Sequence, residues 1–157
     1  MKTKTVHRTS VFPANIDDVF KRLQKLETLQ YVAAPYATFT PADGTKELIW
    51  TVGASYSFRF RLFGIIPYGT HRINVIRFDK ERIYTHEGNE HVPVWNHEIL
   101  LKDMGDCCKY TDNVEIGAGW KTIFIYIWAW FFYRHRQRKW IRMLKNENGE
   151  LSDDRKN

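Results

Sequence analysis

His97 and Asp112 are the two side chains of this sequence best placed to share a proton. On a strand over Val94–Lys102, Trp95, His97, Ile99 and Leu101 share one face, and on Lys109–Ile116 so do Tyr110, Asp112, Val114 and Ile116. A tight turn near Gly105 predicts a register with His97 opposite Asp112 and Trp95 opposite Val114, cross-strand Cβ atoms being about 5 Å apart. Both polar groups then lie on an apolar face, where an unpaired donor or charge is costly. A carboxylate that fixes an imidazole tautomer is half of a general-base arrangement. The plainer use, a buried hydrogen bond that sets strand register, ranks first. Arg134 is a third candidate, reaching the pair from the following helix as a structural ion pair before an anion clamp.

No stronger catalytic pattern occurs. There is no G-x-S-x-G, no H-E-x-x-H and no glycine-rich phosphate loop; Gly117-Ala118-Gly119 reads as a strand-to-helix turn. His7, His86 and His91 are scattered without metal-ligand spacing, and His71, beside Ile73 and Val75, reads as an inward wall residue. No metal and no other cofactor is implied. The adjacent Cys107 and Cys108 point to opposite faces of a strand and read as free thiols. Whether the chain catalyses anything stays open.

The elements that position these residues follow from periodicity. Thr3–Val11 reads as a first strand, closed by Pro13, and Asn15 can cap a helix carrying Ile16, Val19, Phe20, Leu23 and Leu26. A second short helix covers Glu27–Val32. After turn signals at Pro41-Ala42-Asp43-Gly44, Tyr56, Phe58, Phe60 and Leu62 alternate with Ser57, Arg59 and Arg61 as a half-buried strand. Gly64 to Gly69 reads as a turn, then Thr70–Phe78, Ile83–Glu87, Val94–Lys102 and Lys109–Ile116 as strands, and Trp120–Lys145 as one long helix. The fold class is α+β: a helix-grip fold, a curved antiparallel sheet wrapped around a long C-terminal helix, with two short helices after the first strand. The gap between sheet and helix is a natural apolar cavity.

At 157 residues, with 43% hydrophobic and 27% charged side chains, the chain is expected to form a single domain over 1–146 with a disordered polar tail over 147–157. Aromatic content of 15%, with six Trp, points to large apolar bodies packed around something wide. The start lacks the apolar stretch of a secretory signal and no run reaches membrane-spanning length, so a cytoplasmic location is expected. Net charge is +6, and Arg134, Arg136, Arg138, Lys139, Arg142 and Lys145 put six cations into twelve residues. They spread around the helix and read first as a solvated end that suits the helix dipole, next as membrane or anion contact, and hardly as nucleic-acid recognition.

Ile123–Tyr133 is apolar all the way round, more than a surface helix needs. The stripe Ile123, Ile127, Trp130, Arg134, Gln137, Ile141 and Leu144 is coherent to the helix end and is assigned to the sheet. Trp120, Phe124, Trp128, Phe131 and Phe132 are left towards the sides or outside. They fill the cavity mouth, form a homodimer through this helix, or contact a membrane surface with Arg136 and Lys139 at the headgroups, in that order. The expected ligand-binding set is Tyr56, Phe58, Phe60, His71, Trp95, Tyr110, Phe124, Ile127, Trp130 and Phe131, with His97, Asp112 and Arg134 at the polar end.

Over about residues 4–145 the sequence resembles the START/birch-pollen-allergen-like (SRPBCC, polyketide cyclase-like) superfamily. The resemblance rests on Trp95-Asn96-His97, Asp112-Asn113-Val114, a glycine turn and Tyr133-Arg134-His135-Arg136, similar to the W-x-H, D-x-V, G, Y/F-R-H pattern of a bacterial branch. Val11-Phe12-Pro13-Ala14 with Val19-Phe20 also fits the superfamily's entry from strand to helix. The chain departs from that branch at Cys107-Cys108 and at Ile116. The resemblance implies the helix-grip fold and binding of a hydrophobic small molecule, lipid- or polyketide-like. Members of the superfamily bind lipids or sterols, cyclise polyketides, or have no known chemistry. For this chain a cyclase or aromatase-like activity through His97 and Asp112 is the enzyme alternative.

Overall fold

The structure is a computed structural model and describes residues 1–154. β1 (Lys4–Phe12) is followed by α1 (Ile16–Leu23) and α2 (Leu26–Ala33), then β2 (Ala37–Pro41), β3 (Ser55–Leu62), β4 (Ile66–Phe78), β5 (Arg82–Gly88), β6 (Val94–Asp103) and β7 (Cys108–Gly117). A 3-10 turn, Gly119–Lys121, leads into α3 (Thr122–Asp154). The strands form one antiparallel sheet in the order β1-β7-β6-β5-β4-β3-β2. This is the helix-grip architecture.

Local chemistry sets the boundaries. Asn15 caps α1, its Oδ1 accepting from the Asp18 amide at 2.9 Å, and α1 buries Ile16, Val19 and Leu23. In the β6–β7 hairpin Gly105 takes a φ of 82°, and Asp103 Oδ1 accepts its amide at 2.9 Å. That turn spans four residues between Asp103 and Cys108, so the register is two residues away from the expected one: His97 pairs with Val114, Ile99 with Asp112 and Trp95 with Ile116. A slip of two keeps every side chain on its face: of the expected inner residues all are buried but Trp95, which is half-buried, and Thr111 on the other face is buried as well. β2 was not recognised as a strand in the sequence, and β4 starts inside the expected Gly64–Gly69 turn.

Two corrections concern α3. Its sheet-facing stripe is Ala129, Phe132, Tyr133, Arg136, Trp140 and Leu144 with Gln137, whereas Ile123, Ile127 and Trp130 are 42%, 48% and 36% exposed. The expected and observed stripes share Gln137 and Leu144 but diverge through the aromatic half. Size decides there: Ala129 lets the helix approach the sheet, and Trp140 stacks on Phe12 at 5.5 Å, itself 4.4 Å from Tyr110. The helix also continues through the first part of the expected disordered tail, to Asp154. Asn148 Nδ2 donates to the Pro13 carbonyl at 2.7 Å and Glu147 pairs with Arg22 of α1. The remainder of that tail, 155–157, lies outside the described residues.

α3 rests chiefly on β1, at one edge of the sheet, and on α2, and less on β7 beside β1. The curved face formed by β3 to β6 is left standing off the first half of the helix. Among the described residues no helix is long and apolar enough to cross a membrane.

Candidate functional site

A cavity of about 290 Å³ fills that gap. Phe58 and Phe60 of β3, Ile73 of β4, Ile83 of β5, Trp95 and Ile99 of β6 and Phe124, Trp128, Phe132 and Tyr133 of α3 give it apolar walls. Trp50 closes one side, packed on Tyr56 at 4.9 Å and Phe58 at 6.2 Å. The volume is at the small end of ligand sites, which run about 300–1,000 Å³.

The polar lining is concentrated in two histidine–carboxylate pairs and one arginine. His97 Nε2 lies 2.7 Å from Asp112 Oδ1. The contact is diagonal, because His97 sits opposite Val114 and Asp112 is two residues further on. Asp112 is fully buried, and it also accepts from the Tyr110 hydroxyl at 3.3 Å and from Gln137 Nε2 at 2.9 Å. Burial pushes its pKa up, but the His97 hydrogen bond, the Arg136 charge and the Gln137 amide outweigh that and hold it below the ordinary carboxylate value. An ionised carboxylate only accepts, so Nε2 of His97 carries the donated proton and Nδ1 is the ring atom left for a ligand.

The second pair repeats the geometry one strand pair away. His71 Nε2 lies 2.7 Å from Glu87 Oε2, and again the partners are diagonal, Glu87 being opposite Ile73. Thr85 Oγ1 donates to Glu87 Oε1 at 2.5 Å. Burial opposes ionisation of Glu87, but the hydrogen bond and charge of His71 lead the effects that hold its pKa down. His71, Thr85, Glu87, His97 and Arg136 all line the cavity. Arg136 is 8% exposed and stacks over the Tyr133 ring at 5.6 Å. Burial acts against its charge, yet Tyr110, Asp112 and Tyr133 hold its pKa above the ordinary arginine value.

The expected site residues separate into three groups. Phe58, Phe60, His71, Trp95, His97 and Phe124 line the cavity, with Asp112 directly behind His97. Tyr110 is fully buried under Trp140 and Phe12, and the Tyr56 hydroxyl is turned to the Ile49 carbonyl and Thr51 amide, so neither reaches the cavity. Ile127, Trp130, Phe131 and Arg134 belong to the outer side of α3, Arg134 lying over Trp130 at 5.6 Å. That is the cost of the misplaced stripe, and Arg136 takes the inward place expected of Arg134. Glu87, Thr85, Trp50, Trp128 and Arg136 were not singled out. Glu87 and Thr85 carried a signal, since they alternate with Ile83 on the inner face of β5.

The family described as Domain of unknown function (DUF8410) matches residues 10–144. The chain belongs to that family. Among curated proteins none matches this DUF8410 chain. Several solved structures resemble it. Protein Ms6760 from Mycobacterium smegmatis is 12% identical with a TM-score of 0.70, over 94% of this chain and 98% of that one. A START superfamily protein from Mycobacterium smegmatis is 12% identical with a TM-score of 0.63, over 90% and 97%. Norcoclaurine synthase from Thalictrum flavum, in complex with dopamine and hydroxybenzaldehyde, is 16% identical with a TM-score of 0.59, over 92% and 88%. These likenesses identify the DUF8410 fold as START/SRPBCC-like.

Proposed function

We propose that this domain binds an apolar small molecule, lipid- or polyketide-like, between its sheet and α3. The observation that carries the reading is the cavity itself, walled by aromatic side chains from both layers and polar along one arc. Its walls give non-directional affinity, and the arc of His71, Glu87, His97 and Arg136 orients whatever polar end the molecule has. Native mass spectrometry of gently purified protein, with an organic extract of the same sample run in parallel, tests this. An apolar co-purifying mass is expected. A protein that carries none, and takes up none from a panel of fatty acids and aromatic polyketides, overturns the reading.

A catalytic version of the same site is favoured by the His97–Asp112 pair. With Nε2 held by Asp112, Nδ1 of His97 can take a proton from carbon next to a ligand carbonyl. The carbanion closes on a second carbonyl of the same molecule, and the proton returns to the new alkoxide, so the step balances as an intramolecular aldol cyclisation. His97→Ala then abolishes cyclisation of a test polyketide while thermal unfolding still shows a folded domain. Unchanged turnover assigns the pair to structure alone.

A further inference from the structure

On the strength of the cavity-binding reading, we propose that the polar end of the ligand is anionic, a carboxylate or similar charged oxygen group, and that Arg136 holds it. Arg136 is more than nine-tenths buried and lines the cavity. Tyr110 hydrogen-bonds its guanidinium and Asp112 attracts it from further off, but among the described residues no carboxylate is within ion-pairing distance of it and its Nε has no hydrogen-bond partner. A buried donor without a partner is costly, and a ligand oxygen that completes the guanidinium is favoured.

The protein cannot readily supply that partner. Both carboxylates of the site are already engaged, Asp112 by His97, Gln137 and Tyr110, and Glu87 by His71 and Thr85. What the wall has to spare is donors: the indole N–H groups of Trp50 and Trp128, both on the cavity wall, are also unpartnered. A guanidinium accepts a carboxylate through two parallel hydrogen bonds, and an apolar acid satisfies walls and arginine together.

The test is fluorescence titration with 2-naphthoic acid and its neutral counterpart 2-naphthamide, near neutral pH, on wild type, Arg136→Met and Arg136→Lys. A charge-assisted hydrogen bond contributes about 1.5–3 kcal/mol, so wild type should prefer the acid by about tenfold or more. Arg136→Met should lose the preference for the acid over the amide, and Arg136→Lys should retain part of it. Equal binding of acid and amide by wild type overturns the anion anchor and leaves the cavity reading standing. No binding of either overturns both. Should Arg136→Met not fold, the wild-type ratio still decides.

A separate observation concerns the outer face of α3, and from it we infer that this face docks on an anionic lipid surface. Trp120 is 80% exposed and Phe124 64%, and Ile123, Ile127, Trp130 and Phe131 continue the apolar face. Arg8 and Arg134 both lie over the Trp130 ring, at 5.8 and 5.6 Å, and Lys4 lies over Tyr126 at 5.5 Å. Among the described residues no carboxylate is within ion-pairing distance of Lys4, Arg8 or Arg134. Arg136 and Lys139 are not the headgroup contacts: Arg136 is inside, and Lys139 Nζ donates to the carbonyls of Tyr31 and Ala34. Indoles flanked by unneutralised cations suit a lipid interface. A two-fold dimer through α3 would set these same cations against one another. Phe124 belongs both to this face and to the cavity wall, so the surface adjoins the cavity.

Co-sedimentation with vesicles of phosphatidylcholine, with and without phosphatidylglycerol, checks this. Binding is expected only with phosphatidylglycerol. Each of Arg8→Gln and Arg134→Gln should weaken it about fivefold, since a cation at such a surface contributes about 1 kcal/mol, and Trp120→Ser should also weaken it. Absence of binding to the anionic vesicles overturns the inference. So does a concentration-dependent dimer lost on Trp120→Ser, which assigns the face to a second copy.

Discussion

A carboxylate persists inside an apolar wall only when donors take both oxygens, and for Asp112 the second oxygen belongs to Gln137. Gln137 Nε2 donates at 2.9 Å both to Asp112 Oδ2 and to the Arg8 carbonyl, while its Oε1 accepts from Ser10 Oγ at 2.6 Å. One amide therefore ties α3 to β1 and to the site. Gln137→Leu keeps the volume and removes all three bonds, and it should cost about 1–3 kcal/mol for the unsatisfied carboxylate oxygen alone, read from urea unfolding. A neutral result would mean that water or Arg136 replaces the amide. At the other end of β7, burial pushes the Cys108 thiol up to about 11, while Cys107 is partly exposed. In the native state a thiol-reactive disulfide reagent at pH 8 should titrate one cysteine, and in denaturant two.

The elements show which parts of the site could be read from the chain. His97 and Asp112 were legible because side chains alternate along a strand, and the two-residue error in register left both on the inner face. Glu87 was legible for the same reason, but its diagonal partner His71 depends on how β4 and β5 pair. Trp50 comes from the segment between β2 and β3, where no periodicity guides the reading. Arg136 was hidden by α3 itself: a helix apolar on every side offers two stripes, and only packing volume chooses between them. The chosen stripe makes a sharp prediction. Trp140, fully buried, and Trp130, 36% exposed, are ten positions apart on one helix. Trp140→Ala should cost about 3–5 kcal/mol and Trp130→Ala well under half of that, by chemical denaturation. The opposite order would return the sheet face to the stripe through Ile127 and Trp130.

At the scale of the molecule, α3 grips the sheet at one edge and leaves space at the other, and the polar arc in that space ties stability to pH. Asp112 and Glu87 both have folded pKa values held below the ordinary carboxylate range by their hydrogen-bond partners, despite burial. The unfolded chain therefore binds protons more readily than the folded one in acid, and stability must rise with pH there. Their contribution is fully present above the unfolded value, about 4, and is lost as pH falls through the lower folded values. Urea unfolding across pH 3–7 should show stability falling below about pH 5, steeper in wild type than in Glu87→Gln, which lacks one of the two groups. Equal slopes would mean that Glu87 titrates alike in the folded and unfolded chains, and a shallower wild-type slope would mean that it is protonated in the folded chain, so that the His71 pair is not ionic. A steeper wild-type slope would mean that the walls keep two ionised carboxylates beside an apolar volume at neutral pH.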